Sequence, residues 1–394
     1  MVRLPENIKG EVFGGITAGV IALPMAIGFG VASGLGAAAG LYGAIIVGFI
    51  AAIFGGTKAQ ISGPTGPTTV FVATIAAANT GNISVAFVIV ALCGVFQIIL
   101  GLCRVGRYIH YVPPAVVSGF MSGVGCLIII TQLYPFLGMT GQSSMLQAAK
   151  SLLTMDMVTL QCMILGIATL LLLTLRKIGA VIPISFFALS VVTAASMILK
   201  LDIPTSGAIP SGMPAIAIAP IGVESLFYVI SIAFALALLA STDALMTSLI
   251  ADYMTNTKHN SDRELIGQGL GNMVSGLFGG TACSSSTVPT VANITTGARG
   301  RLSGVVHAIL LFMALLFLGP IVESIPLAVL AGILIKTGID ILNHGFIKDF
   351  RQTSKADMIV KVAVMLITVF GNLLVAVGVG MVLYYAIRRL AAEA

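Results

Sequence analysis

Asp243 is a carboxylate placed where ionisation is costly. It lies inside 234–250 (FALALLASTDALMTSLI), a run otherwise apolar or hydroxylic. An ionised carboxylate at the centre of a membrane span costs about 2.5 to 3.5 kcal/mol even on the lenient insertion scale, so Asp243 must be protonated or paired. Thr247, four residues on, shares its helical face. A carboxylate and a hydroxyl at this spacing, beside freed backbone carbonyls, can hold a small hard cation through oxygen. A sodium site needs several oxygens, and Ser284, Ser285, Ser286 and Thr287 can supply hydroxyls or carbonyls. A proton needs only Asp243. A protonated Asp hydrogen-bonded between helices is the purely structural alternative.

The second constellation is a pair of interruptions. Stretches 55–70 (GGTKAQISGPTGPTTV) and 279–294 (GGTACSSSTVPTVANI) both open with Gly-Gly-Thr and then break into Ser, Thr, Gly and Pro. In a membrane chain, matching breaks free backbone to hold a solute. The composition predicts an extended strand running from one surface to the midplane, with a short helix starting near Pro64 and Thr65 in one stretch and near Ser286 and Thr287 in the other. The unpaired N–H groups and dipole at each helix start are equivalent to roughly half a positive charge. Together they make a small anion site without a basic side chain.

These residues need a membrane scaffold. Apolar residues form 58% and charged residues 9% of the 394, with a mean hydropathy of +1.08; a soluble domain cannot cover that much apolar surface with so few charges. Apolar spans fall at 12–32, 37–55, 83–103, 116–137, 158–175, 178–199, 226–250, 305–321, 327–341, 358–371 and 373–387. With the two interrupted segments and the Gly-rich stretch 265–278, the chain makes about fourteen crossings of some 17 to 25 residues each. The first apolar stretch reads as the first span, not a signal peptide. Most Lys and Arg, from Arg3 and Lys9 to Arg388 and Arg389, fall on one side, and only Lys150 and Lys200 clearly fall on the other. That bias puts both termini in the cytoplasm. The net charge of +6 therefore reports topology and excludes nucleic acid as a partner.

The interruptions lie 224 residues apart (55 to 279), each as the third crossing of its half. Seven crossings per half is an odd number, so the halves insert in opposite orientation. The expected fold is an all-α polytopic membrane protein with a 7+7 inverted repeat, residues 1–200 and 201–394, whose two half-helices meet at the midplane.

Other reactive residues point nowhere in particular. Cys93, Cys103, Cys126, Cys162 and Cys283 have neither metal spacing nor pairing and read as small packing residues. His110 and His259 lie in polar loops, His344 in a basic turn, and His307 at the start of a span near Arg299 and Arg301, where an interfacial role is expected. Carboxylates other than Asp243 are expected at surfaces, and Asp252 is expected to be solvated. No nucleophile–base arrangement or phosphate loop is visible, which argues against an enzyme or an ATP-driven pump.

The run GGITAGVIALPMAIGFGVASGLGAAAGLYGAIIVGFIAAIFGGTKAQISGPTGPTTV resembles the opening of the sulfate permease (SulP) family, the solute carrier family 26 anion transporters. YVPPAVVSGFMSGVG from Tyr111 and ELIGQGLGNMVSGLFGG from Glu264 resemble it too. The likeness spans essentially the whole chain. It implies intertwined repeats sorted into core and gate domains, an elevator-like motion, a dimer, and anion contacts at Phe29, Thr65, Gly66, Ser286 and Thr287. STDALMTSLIADYMTNTKHNSDRELIGQGLGN is most similar to the sodium-dependent bicarbonate branch. That implies sodium held by Asp243 and Thr247 with Ser285, Ser286 and Thr287. Pro289 stands where many members carry an Arg, and Met25 where many carry a Gln. Most members continue into a cytoplasmic STAS domain, whereas this sequence carries none and stops at RRLAAEA just after its last span.

The expected function is secondary transport of a small inorganic anion across a bacterial inner membrane, foremost as a sodium–bicarbonate symporter. The alternatives are a proton-coupled sulfate or dicarboxylate transporter and a channel-like anion pathway.

Overall fold

The computed structural model describes residues 7–79, 82–111, 113–139, 157–174, 184–207, 226–317, 319–342, 354–371 and 373–393. Arg3, Lys150, Arg176, Lys177, His344, Lys348 and Arg351 lie outside these residues.

The first half runs α1 (Ile8–Ala32), α2 (Ala37–Phe54), β1 (Ser62–Gly63), α3 (Gly66–Ala78), α4 (Ser84–Leu102), a 3-10 helix (Val105–Tyr111), α5 (Pro114–Phe136), α6 (Met157–Thr174) and α7 (Ile184–Ile198). The second half repeats the pattern: α8 (Leu226–Thr255), α9 (Ser261–Leu277), β2 (Ser284–Ser285), α10 (Thr287–Thr295), α11 (Leu302–Phe317), a short α12 (Gly319–Glu323), α13 (Leu327–Leu342), α14 (Lys355–Phe370) and α15 (Leu373–Glu393). The third crossing of each half is a strand followed by a half-helix. The two strands pair antiparallel, Ser62 opposite Ser285 and Gly63 opposite Ser284. This is the geometry an inverted repeat demands. Among the described residues, six helices (α1, α2, α4, α5, α6 and α8) are by length and composition apolar enough to cross a membrane alone.

Packing sorts the elements into two groups. α1, α2, α4, α8, α9 and α11 pack on one another around the broken segments, while α5 packs against α13 and α14, with α6 on α13 and α15 on α14. Small residues allow the close approaches inside the first group. A methyl on Gly40 of α2 would overlap the Ala26 carbonyl of α1, and one on Gly94 of α4 would overlap the backbone of Met273 in α9. Such contacts let helix backbones touch, which is how apolar helices associate when lipid gives no hydrophobic drive.

Two carboxylates depart from the surface positions expected of them. Glu11 and Glu264 are each only 1% exposed. Glu11, in the first turn of α1, accepts from the Arg299, Gly300 and Ser303 N–H groups. Glu264, in the first turn of α9, accepts from the Gly56 and Thr57 N–H groups at 2.8 and 2.9 Å. The charge of each is satisfied by orphan backbone donors of the turns that link the spans. His307 is also relocated. α11 starts at Leu302, pinned by the Ser303 N–H on Glu11, so His307 lies within the helix, fully buried against Gly48 of α2. Asp252 is not simply solvated; it accepts from the His259 backbone N–H at 3.0 Å and meets His259 Nδ1 at 2.7 Å.

Candidate functional site

α3 begins at Gly66, one residue past the predicted Pro64 and Thr65, and α10 begins at Thr287, within the predicted pair. α3 is capped by Thr65, whose N–H donates to Thr68 Oγ1, and Ser286 is the cap of α10. Pro67 in the first turn of α3 has no N–H to leave unpaired. Pairing of β1 with β2, extended by the Ser286 N–H on the Ile61 carbonyl at 2.8 Å, brings both helix starts to one level.

α8 passes beside this crossing and supplies its ligating side chains. Asp243 is 7% exposed and Thr247 1% exposed. Thr65 Oγ1 donates to Asp243 Oδ2 at 2.7 Å. One turn later, Thr247 Oγ1 donates to the Ser285 carbonyl at 3.0 Å and lies 3.0 Å from Thr287 Oγ1. Asp243, Thr65, Thr247, Ser285 and Thr287 are thus one cluster. The ion pairs among the described residues are His259 with Asp252 and Lys336 with Asp340, so no cationic side chain partners Asp243 there. The Ser285 hydroxyl is turned away from the cluster and accepts from Gln268 Nε2 at 2.9 Å; only its carbonyl faces Thr247.

Ser286 faces a different space. A cavity of about 10 Å³ is lined by Met25, Ala44, Ser62, Pro64, Ser286 and Pro289, among others, roughly the room of one water molecule. Met25 and Pro289 therefore share one small chamber with Ser286. Phe29 and Gly66 stand apart from the hydroxyl cluster. Phe29 is buried in an apolar cluster with Phe71, Phe120 and Val124, and Gly66 faces Val124 and Ile128 of α5. A cavity of about 480 Å³ lined mainly by α5 and α8 also borders Asp243, the one ionisable residue among its described lining, with Phe120, Phe234 and Leu238.

A polar layer that sequence reasoning missed supports the strands. Glu264, Gln268 and Asn272 stand at four-residue spacing on α9. Gln268 Nε2 reaches Ser62 Oγ at 2.7 Å and Glu264 Oε1 at 2.9 Å. Asn272 pairs with both the N–H and the carbonyl of Cys283 and donates to Gln97. Gln60 and Ser248 add a second link, Ser248 Oγ donating to Gln60 Oε1 at 3.0 Å. The signal was legible: three hydrogen-bonding side chains on one face of a Gly-rich helix have no reason to face lipid.

The profile of the sulfate permease family matches residues 8–364. The chain is 43% identical over 390 residues to the bicarbonate transporter BicA of Picosynechococcus sp., covering 95% of this chain and 69% of the relative. It is 28% identical over 400 residues to the putative sulfate transporter YvdB of Bacillus subtilis, covering 98% and 74%. Its fold is similar to that of the transmembrane domain of a cyanobacterial bicarbonate transporter BicA, with a TM-score of 0.86, 40% identity and 94% and 97% of the two chains covered. It is also similar in fold alone to SLC26A9, with a TM-score of 0.84, 21% identity and coverage of 97% and 66%. These relatives are transporters, not enzymes. By sequence and by fold the chain belongs to the sulfate permease family of integral membrane anion transporters.

Proposed function

We propose that this chain is a sodium-coupled bicarbonate symporter. The observation that carries the reading is the hydroxyl cluster around Asp243. A buried carboxylate with no ion-pair partner among the described residues takes the hydroxyl at the start of α3, while Thr247, one turn on, reaches the start of α10. Neither cavity beside it is lined by Lys, Arg or His. Sodium, as co-substrate, would take oxygens from Asp243, Thr247, Thr287 and the Ser285 carbonyl, with Ser286 at the edge of the set. Its charge would cancel that of Asp243 and leave the helix starts net attractive to an anion at Thr65, Gly66, Ser286 and Thr287, with Phe29 as an apolar wall. The 43% identity to bicarbonate transporters favours bicarbonate as that anion.

In this mechanism the site-bearing group of helices slides as a core past a gate built on α5, α13 and α14, and does so with both solutes or neither. The repeats would be 1–200 and 201–394. The protein would sit as a homodimer in a bacterial plasma membrane, both termini cytoplasmic.

One feature favours a second reading, proton-coupled transport of sulfate or a dicarboxylate: Asp243 has no ion-pair partner among the described residues, so a proton can neutralise it in place of a cation. Labelled bicarbonate uptake into proteoliposomes under an inward sodium gradient, with potassium as control at the same pH, separates the two. Saturable, sodium-dependent uptake supports the symporter. Uptake indifferent to sodium but driven by a pH gradient overturns it, and linear uptake indicates a channel.

A further inference from the structure

Thr65 has one hydroxyl proton, and it is already committed. Oγ1 donates to Asp243 Oδ2 at 2.7 Å. Its other polar neighbour offers no replacement: Thr68 Oγ1, 3.1 Å away, donates to the Thr65 carbonyl and accepts from the Thr65 N–H. A threonine hydroxyl donates once, so Thr65 cannot serve Asp243 and an anion at the α3 start together. Within the hydroxyl cluster this is also the bond that ties α3 to α8. Thr247 by contrast gives its bond to the Ser285 carbonyl at the other half-helix.

We infer that the Thr65 hydroxyl is the coupling element between cation and anion, an inference that rests on the sodium–bicarbonate reading above. Without a cation, ionised Asp243 holds the hydroxyl through a charge-assisted bond, stronger than a neutral one. A cation among the Asp243, Thr247 and Thr287 oxygens takes over as the carboxylate's partner. The Thr65 O–H then turns about its side-chain torsion to donate to an anion at the α3 start. The linkage works equally in reverse: an anion that draws the hydroxyl away leaves Asp243 with free lone pairs for the cation. Thr65 is thus a positioning residue for the cation and a ligand for the anion. It makes anion affinity conditional on the cation without moving the backbone.

The test uses the purified full chain in detergent at fixed pH. Thermal stabilisation is measured with sodium or potassium chloride, with and without bicarbonate, for the wild type, Thr65→Ser, Thr65→Val and Thr65→Ala. In the wild type, sodium should tighten bicarbonate binding by about fivefold or more, a typical coupling, so that the two together stabilise more than their sum. Thr65→Ser should keep this excess. Thr65→Val and Thr65→Ala should bind each solute more nearly independently, with the coupling cut to less than about twofold. Two different deletions keep the comparison alive if one fails to fold. Wild-type coupling in both deletion variants, or its loss in Thr65→Ser, overturns the inference and leaves the sodium reading standing. A wild-type protein that sodium stabilises no better than potassium sinks that reading, and this inference with it.

Discussion

Asp243 and Thr247, one turn apart on α8, grip opposite half-helices. Asp243 takes the hydroxyl of Thr65 at the start of α3, and Thr247 reaches the Ser285 carbonyl and Thr287 at the start of α10. Four-residue spacing puts both on one face, and the inverted repeat brings two segments more than 200 residues apart to that face. One helix therefore senses both ends of the crossing.

Removing the charge of Asp243 tests the cation site. Asp243→Asn keeps the shape and an oxygen that can accept from Thr65, so the variant should fold and elute as the wild type does. Its bicarbonate uptake should change less than about twofold between sodium and potassium, because the charge that a cation answers is gone. Sodium activation equal to the wild type's would sink the assignment of the cation to Asp243.

Thr247→Val preserves volume and deletes the hydroxyl that joins Ser285 and Thr287. One ligand and one hydrogen bond of about 1 kcal/mol are lost. Sodium affinity, read from the sodium dependence of uptake, should fall about tenfold. Maximal uptake at saturating sodium should fall less, because the anion contacts on α3 remain.

Glu264 offers a stability test at a buried carboxylate that is not among the proposed ion ligands. In Glu264→Ala the N–H groups of Gly56 and Thr57 lose their acceptor, and buried unpaired donors cost about 1 to 3 kcal/mol each. The thermal midpoint in detergent should drop clearly. Glu264→Gln, which keeps one oxygen for those donors, should recover part of it. Equal midpoints for Ala and wild type would mean that the 55–60 turn is held by something else.

The sequence displayed the site better than it displayed the supports of the site. Paired Gly-Gly-Thr breaks, an isolated Asp243 and its i+4 threonine are visible because apolar spans make every polar residue conspicuous. The 7+7 count followed from composition and charge. What stayed hidden depends on distant partners. Glu11 and Glu264 looked like interfacial charges, since the backbone donors they bind arrive from turns far along the chain. His307 looked interfacial because its burial depends on Gly48 giving it room. The direction in which Ser285 points is likewise set by Gln268 across the strand pair.

That orientation yields the sharpest separation among the hydroxyl residues. Ser285 presents its carbonyl to Thr247 and its hydroxyl to Gln268, whereas Ser286 lines the small chamber with Met25 and Pro289. Ser285→Ala keeps the carbonyl, so sodium affinity should move less than about twofold, while stability falls by about 1 kcal/mol for the lost hydrogen bond. Ser286→Ala should weaken bicarbonate more than sodium, because Ser286 lines the chamber and takes no part in the bonds that join Asp243 to Thr65 and Thr247 to Ser285 and Thr287. Sodium and bicarbonate titrations of uptake for both variants decide the point. A large loss of sodium affinity in Ser285→Ala would mean that its hydroxyl turns from Gln268 to the cation during transport, and that the strand pair rearranges when the ion binds.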